Sequence, residues 1–129
     1  TNKKKEVLAI TDRITTAIKK QKIKEGLCMI FVKHTTACIT TADLDPGTDL
    51  DMLDAFEAIM PKLEYRHPHN PAHVTDHILS SLIGPSVTIP IKDNHLDLGT
   101  WQEVVLIELD GPRERTITVS FIASVAPEV

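Results

Sequence analysis

Three runs of strand-forming residues fill the last third of the chain, and they constrain its fold more than any other feature. The runs are rich in β-branched side chains and have the length of ordinary strands: SVTIPI (86–91), VVLIEL (104–109) and TITVSFIASV (116–125). Two short segments between them, KDNH (92–95) and DGPR (110–113), contain residues that tolerate tight turns. The last third is therefore predicted to form strands joined by turns.

The first two thirds add further strands and several helices. LCMIFVK (27–33) is almost wholly apolar, which predicts a buried strand, and CITT (38–41) continues the β character. Apolar residues at helical spacing mark residues 11–26 and 43–60 instead. Helices mixed with hairpin-linked strands are typical of α+β proteins, so the chain is predicted to belong to that fold class.

The first helix carries recognisable end signals. Thr11 or Asp12 is expected to cap its beginning, because short oxygen-bearing side chains accept hydrogen bonds from the first free N–H groups of a helix. Gly26 is expected to end it, because glycine readily adopts the left-handed conformation that follows many helices.

A third helix is predicted between Asn70, which can cap it, and Gly84, which can end it. Three apolar side chains recur every four residues and are expected to face the core: Val74, Ile78 and Leu82. His73 and His77 are also four apart, so they are expected to share a neighbouring face of the helix.

Length, charge and cysteine content limit the class of protein. A chain of 129 residues is expected to form a single domain over residues 1–129. Its net charge of −4 favours neither nucleic acid nor an anionic membrane as a partner. No apolar run reaches the roughly 20 residues that span a bilayer, and no signal peptide is recognisable, so a cytoplasmic location is expected. Cys28 and Cys38 lie in apolar surroundings and are interpreted as core residues.

Four of the six histidines are concentrated in HPHNPAHVTDH (67–77). Catalytic zinc sites use three protein ligands, often imidazoles, and keep a fourth position for water. The candidate ligands are His67, His69, His73 and His77, together with His34 at the end of a predicted strand. The HExxH and PCxxC patterns of known zinc enzymes are absent, and a solvated histidine-rich loop is the alternative. Asp76 is read either as a residue that orients an imidazole or as an exposed helix residue.

Hydroxyl and guanidinium groups near predicted loops are candidates for contacts with an anion. Thr35 and Thr36 follow the strand that ends at residue 33, although threonine also simply favours strands. Arg113 and Arg115 could bind an anion, or they could belong to a surface turn.

A set of aspartates supplies candidate acid/base groups: Asp43, Asp45, Asp49 and Asp51. Favourable interaction with the dipole of the following helix is the alternative explanation for this set. Trp101 is expected in the core or at an interface, and the neighbouring Gln102 could face a pocket.

Five segments in order give the chain a resemblance to the YjbQ family. They are HTTA (34–37), YRH (65–67), DHILSSLIG (76–84), LGTWQ (98–102) and DGPRERTITV (110–119). The resemblance covers nearly the whole chain, and HTTA together with LGTWQ is its most specific part.

The resemblance implies several properties. The fold is expected to be a compact α+β domain with a large, mostly antiparallel sheet, and the protein is expected to be a homotrimer. Histidines in a cleft near a subunit interface are expected to hold a metal, usually zinc. The activity attached to the family is that of a secondary thiamine-phosphate synthase, which joins a pyrimidine pyrophosphate to a thiazole phosphate.

Carried over residue by residue, the resemblance implies that His34, His67 and His77 are the metal ligands. It favours His67 over His73, while His69 remains a competitor because the spacing in this segment varies among relatives. The chain departs from the family where many relatives have an Asn-Glu pair and it has Ala42-Asp43. Two further departures are Asn94, in place of the usual glycine, and His95, in place of Arg or Lys.

The resulting hypothesis is a metal-binding enzyme that acts on a small phosphorylated metabolite. Asp43 or Asp49 is the candidate acid/base group, and the candidate substrate contacts are Thr35, Thr36, Gln102 and Arg113. Imidazoles prefer zinc, whereas pyrophosphate chemistry normally uses magnesium held by carboxylates, so thiamine-phosphate synthesis is interpreted as a side activity. The alternatives are a zinc-dependent hydrolase and a metabolite-binding module without catalysis.

Overall fold

The computed structural model describes residues 1–67 and 71–124. In chain order the elements are β1 (Glu6–Ala9), α1 (Thr11–Gln21), β2 (Gly26–Val32), β3 (Ala37–Ala42), α2 (Thr48–Ile59), a 3₁₀ turn (Pro71–His73), α3 (Val74–Ile83), β4 (Ser86–Lys92), β5 (His95–Leu96), β6 (Glu103–Glu108) and β7 (Ile117–Ala123). The α+β class predicted from the sequence is confirmed.

The strands form two antiparallel sheets rather than one large sheet. One sheet has three strands in the order β1-β6-β3, and the other has four in the order β5-β4-β2-β7. The tight turn between β4 and β5 is confirmed: Asp93 and Asn94 both have positive φ, 51° and 64°. This conformation suits a two-residue hairpin turn, because its twist matches that of the flanking strands.

The three-stranded sheet is the middle layer and is buried on both faces. Ile39 and Leu106 pack on one side with α1 and the four-stranded sheet, whereas Cys38 and Ile107 pack on the other side with α2 and α3. Alternate residues of β3 and β6 therefore enter two different cores. This arrangement explains why VVLIEL (104–109) is apolar without alternation, since both of its faces need apolar side chains.

Both cysteines occupy these cores, as predicted. Cys28 and Cys38 are free thiols with no exposed surface. Burial raises the pKa of Cys28 to about 11, and burial together with the nearby Glu108 raises that of Cys38 to about 12. Both side chains remain neutral thiols at physiological pH.

β2 forms as predicted but is buried on one face only. Its Cys28, Ile30 and Val32 are buried, whereas Leu27, Met29 and Phe31 are 42%, 44% and 38% exposed. The prediction of a buried strand therefore holds for one face only, because none of the described residues covers the outer face of the four-stranded sheet.

The predicted caps of α1 were also wrong. The hydroxyl of Thr11 donates a hydrogen bond to Glu103 and accepts one from the N–H of Val104 at 2.9 Å, so it ties the helix to β6 instead of capping it. The helix ends at Gln21. Gly26 instead begins β2 with φ of 152°, and a Cβ atom there would lie 2.0 Å from the carbonyl oxygen of Ile122.

α3 ends at Gly84 as predicted, but it buries a different face. Its buried side chains are Asp76, Leu79 and Ser80, while Leu82, expected in the core, is 70% exposed. Asp76 is not an exposed helix residue either, because its carboxylate is paired with the Lys5 ammonium at 3.2 Å. The predicted cap, Asn70, lies outside the described residues. Within residues 1–67 and 71–124, no helix has the length and apolar character needed to cross a membrane.

Candidate functional site

A cavity of about 700 Å³ opens where the segment before β3, the beginning of α3 and residues 110–115 meet. Four histidines line it, namely His34, His67, His73 and His77, and we call it the histidine cavity. Its volume is that of a small-molecule site. The structure thus brings together the three histidines implied by the resemblance and the fourth suggested by helical spacing.

His67 and His77 bring their imidazole rings together in this cavity. Their rings are stacked, with centroids 5.0 Å apart and an angle of 26° between the ring planes. His77 projects from α3, while His67 lies on the segment that follows α2. The fold therefore brings together two imidazoles that are ten residues apart in the chain. His69, the competing candidate ligand, lies outside the described residues.

His34 is held by the backbone of the strand opposite. Its Nε2 accepts a hydrogen bond from the N–H of Thr116 at 2.9 Å, so Nδ1 is the ring nitrogen not used by this contact. Three imidazoles in one cavity match the ligand preference of zinc. Among residues 1–67 and 71–124, however, no three His, Cys, Asp or Glu side chains are arranged as a complete metal site. The histidines supply the donor chemistry of a zinc site, although the described side chains do not surround a single point.

A buried ion pair lies behind the histidine cavity. Arg115 donates from Nε to Glu108 at 2.8 Å and contacts the second carboxylate oxygen through Nη2. The two side chains are 4% and 0% exposed. Burial alone would raise the pKa of Glu108, but hydrogen bonds from Arg115 and Thr1 outweigh it and lower the pKa below its ordinary value. Glu108 is therefore held as a carboxylate under the floor of the cavity.

This ion pair also fixes the end of the HTT segment. Nη2 of Arg115 donates to the carbonyl oxygen of Thr36 at 3.1 Å and to its hydroxyl at 2.9 Å. Both threonines line the cavity, but Thr36 is only 7% exposed, whereas Thr35 is exposed. The two threonines therefore differ: Thr36 has a structural partner for its hydroxyl, while Thr35 is presented to the cavity.

Asp110 organises the opposite wall. Its backbone carbonyl accepts from Nε of Arg113 at 2.8 Å, and its carboxylate accepts from Nη2 of Arg113 at 3.1 Å. The same carboxylate lies 3.5 Å from Nδ1 of His73. Arg113 remains 55% exposed, so its guanidinium is oriented by Asp110 yet is accessible from the cavity.

The cavity carries mixed charge that nearly balances once the pairing of Arg115 with Glu108 is included. Its lining includes the three cations Lys33, Arg113 and Arg115 and the two carboxylates Asp110 and Glu114. Lys33, Asp110 and Glu114 were not among the site residues predicted from the sequence. DGPR (110–113) was predicted to be a turn, but it forms an irregular segment that leads from β6 in one sheet to β7 in the other. The pairing of Asp110 with residues on either side depends on tertiary structure.

Three of the predicted site residues lie away from the histidine cavity. Asp43, Asp49 and Gln102 do not line it. Asp43 follows the end of β3, and Gln102 donates to the Thr41 hydroxyl at 3.1 Å near that same end. β3 has six residues, so this end is about 17 Å from the HTT end, at roughly 3.3 Å per residue. Within one chain these residues are not brought to the histidines.

Trp101, beside Gln102, is 74% exposed, so the expectation that it lies in the core was wrong for the isolated chain. The turn that carries it is held by the Gln102 side chain, whose carbonyl oxygen accepts from the N–H of Gly99 at 3.1 Å. The LGTWQ segment thus forms an ordered surface feature.

The fold and the cavity together define a class: an α+β protein with two antiparallel sheets and a histidine-rich pocket of small-molecule size. The family model described as UPF0047 protein YjbQ-like matches residues 1–124. The chain belongs to this YjbQ-like UPF0047 family, and the resemblance inferred from its sequence segments is confirmed.

Relatives and solved structures agree with this assignment. A UPF0047 protein of Methanocaldococcus jannaschii is 42% identical over 123 residues, covering 95% of this chain and 88% of the relative. The UPF0047 protein YugU of Bacillus subtilis is 32% identical over 123 residues, covering 95% and 93%. A crystal structure of a YbjQ-like protein of unknown function from Sulfolobus solfataricus superposes with a TM-score of 0.88 at 32% identity, covering 96% of this chain and 91% of that chain. A YjbQ/UPF0047 family protein from Clostridium acetobutylicum gives 0.86 at 34% identity, covering 95% of each chain.

Proposed function

We propose that the histidine cavity binds a divalent metal, zinc, and a small phosphorylated metabolite, and that the protein is an enzyme acting on that metabolite. One observation carries the proposal: His34, His67 and His77, which are distant in sequence, line one cavity together with Arg113. If the histidines had only a structural role, there would be no reason for them to lie together next to the accessible guanidinium of Arg113.

The metal would be held by His34, His67 and His77. Imidazole nitrogens favour zinc over magnesium, which prefers oxygen ligands. His34 would offer Nδ1, because its Nε2 accepts from the backbone of Thr116. A zinc ion bound there would supply Lewis acidity toward a phosphoryl or carbonyl oxygen.

The anion would be held by the accessible cationic and hydroxyl groups of the same cavity. Arg113 has a planar donor fork suited to phosphate and is oriented for this by Asp110. Thr35 is the exposed hydroxyl beside it. Arg115 is less suited to bind an anion directly, since Glu108 already neutralises it. Because Arg115 is neutralised by Glu108, the remaining charges of the lining balance, and the metal would supply the net positive charge that favours an anion.

Thiamine-phosphate synthesis, implied by the resemblance, is retained as a side activity of this site. Hydrolysis of a phosphoester with water as the sole co-substrate is the competing reaction. Asp110 and Glu114 are the carboxylates that the same chain contributes to the cavity, and they are acid/base candidates beside Asp43 and Asp49.

The proposed active form is a homotrimer. Leu27, Met29, Phe31 and Ile122 share the outer face of the four-stranded sheet, and Leu27 and Ile122 are directly paired in register. Such an exposed apolar face suits burial against another copy of the chain. A neighbouring copy is also the means by which Asp43, Asp49 and Gln102 would reach a histidine cavity.

Elemental analysis of untagged protein tests the metal. We expect about one zinc per chain in the wild type and its loss in His34→Ala, His67→Ala and His77→Ala. His95→Ala is the matched control, because His95 is exposed on β5 and does not line the cavity. Wild-type protein without stoichiometric metal, or equal metal in all variants, would contradict the proposal. Turnover assays on the zinc-loaded protein, with and without a second organic substrate, then separate transferase from hydrolase.

A further inference from the structure

A second cavity of about 610 Å³ lies beside the histidine cavity, between α2 and α3. Its apolar lining comes from both helices, from the segment after α2 and from the residue after β6: Leu53, Phe56, Met60, Leu63, Leu79 and Leu109. We call it the α2–α3 cavity. Nothing described so far uses this space, and its volume again suits a small molecule.

The two cavities adjoin at a shared wall. His73 lines both of them. Two pairs of neighbouring residues also face different cavities. Leu109 and Asp76 line the α2–α3 cavity, whereas the next residues along the chain, Asp110 and His77, line the histidine cavity. The boundary therefore runs through α3 and the end of β6, with His73 at the junction.

His73 and Asp110 meet at this junction. Nδ1 of His73 lies 3.5 Å from the Asp110 carboxylate, and the His73 side chain is 32% exposed. A ligand that spans the two cavities would therefore pass beside an imidazole that lines both of them.

The two linings differ in chemistry. The histidine cavity carries imidazoles, Arg113 and Lys33, which suit an anionic group. The α2–α3 cavity is lined mainly by aliphatic and aromatic side chains, together with three lysines and two carboxylates, and its apolar part suits an apolar ring or short alkyl group. Two adjoining compartments of unlike chemistry match one ligand with two unlike ends.

We propose that the α2–α3 cavity is a second subsite for the same ligand, so that the substrate is an amphipathic phosphate: its anionic group lies among the histidines and its apolar body lies between α2 and α3. This inference rests on the proposed function, because it assumes that the histidine cavity takes the phosphate. His73 then contacts the ligand at the point where its two halves join.

A matched ligand pair measures the contribution of the apolar subsite. Inorganic phosphate and 1-naphthyl phosphate are titrated into the zinc-loaded protein by isothermal titration calorimetry. Burial of the naphthyl ring should strengthen binding of naphthyl phosphate by about tenfold or more over phosphate. Arg113→Ala should weaken both ligands, since both would use the same anion contact.

Two exposed leucines supply the variant and its control. Leu63 is 65% exposed and lines the α2–α3 cavity, while Leu82 is 70% exposed and lines neither cavity. Leu63→Asp should remove the advantage of naphthyl phosphate and leave phosphate binding unchanged. Leu82→Asp should change neither, so the pair controls for the added charge and for folding.

The outcomes separate this inference from the proposed function. If the protein binds phosphate and naphthyl phosphate with equal affinity, the inference of an apolar subsite is overturned and the proposed function stands. Failure of both ligands to bind would overturn both. Neutral 1-naphthol provides the third outcome. If it binds, if Leu63→Asp abolishes its binding and if naphthyl phosphate does not displace it, the α2–α3 cavity is an independent site. That result would overturn the inference that one ligand spans both cavities.

Discussion

The two ends of β3 differ in how they are supported. At the first end, the HTT segment is fixed by Arg115, which is itself held by the buried Glu108. At the other end, Gln102 bonds to Thr41 on the surface, and Trp101 is largely exposed. A buried, charge-assisted network fixes the first end, whereas the second presents polar and aromatic groups outward. Among the described residues, the HTT end of the strand is thus the one held by a buried ion pair.

Removing the carboxylate of Glu108, which supports the first end of β3, should reduce the stability of the protein more than any other change considered. Glu108→Gln leaves Arg115 buried without a counter-charge, and we expect the free energy of unfolding to fall by about 3–5 kcal/mol. Urea denaturation followed by circular dichroism measures the change. Glu114→Gln, an exposed change near the same cavity, should cost less than about 0.5 kcal/mol. Equal losses in the two variants would mean that the network does not support this end.

Two threonines provide a matched comparison of the two ends. Thr36→Val removes a hydroxyl that accepts from buried Arg115, and should cost about 1.5–3 kcal/mol. Thr41→Val removes a hydroxyl that accepts from exposed Gln102, and should cost less than about 1 kcal/mol. The same urea titration ranks them. If Thr41→Val lowered the free energy of unfolding more than Thr36→Val does, the second end of β3 would be the more strongly supported one.

The stability of the protein should also respond to acid through Glu108. Because its pKa is lowered in the folded state, its stabilising contribution is present above the ordinary glutamate range, near pH 4.5, and is lost as the pH falls through the lower folded value. Thermal unfolding measured from pH 7 downward should therefore show a decline that begins below about pH 4.5. The decline should be shallower in Glu108→Gln. An identical profile in the variant would assign the acid sensitivity to other groups.

The smallest effect is expected at the exposed end. Trp101→Ala should change the free energy of unfolding by less than about 0.5 kcal/mol in the isolated chain, because the side chain is 74% exposed. As the only tryptophan, Trp101 also reports its own surroundings by fluorescence. A red emission maximum with efficient acrylamide quenching is expected for the dissociated chain. The proposed homotrimer, in which a neighbouring copy reaches this end, should give a blue, protected emission that shifts to the red on dilution, and red emission at every concentration would contradict that placement.

Local patterns predicted most elements but not which faces are buried. The strands of the last third and the turn at Asp93-Asn94 follow from local propensity and turn chemistry, which the sequence records directly. α3 was assigned the wrong buried face, because periodicity equates burial with apolar character and Asp76 is buried through its pairing with Lys5. That partner lies 71 residues away, so no local signal identifies it.

The candidate site was predictable only in part for the same reason. His34, His67 and His77 could be named from the resemblance, and their convergence in one cavity agrees with it. The Glu108–Arg115 pair was missed, since Glu108 sits in an apolar strand and its partner follows an irregular loop. β2 was predicted to be buried, and the exposure of one of its faces was missed, because an apolar face that the described residues leave uncovered looks the same in sequence as a core face.

The most direct test of the account is to map zinc and phosphate binding on the whole chain by nuclear magnetic resonance. The account predicts that zinc shifts the imidazole resonances of His34, His67 and His77 while leaving His95 unchanged, and that phosphate then shifts the amides of Thr35 and Arg113. Shifts confined to His95 and the Asp43–Asp49 segment, or no shifts at all, would contradict the assignment of the histidine cavity as the functional site.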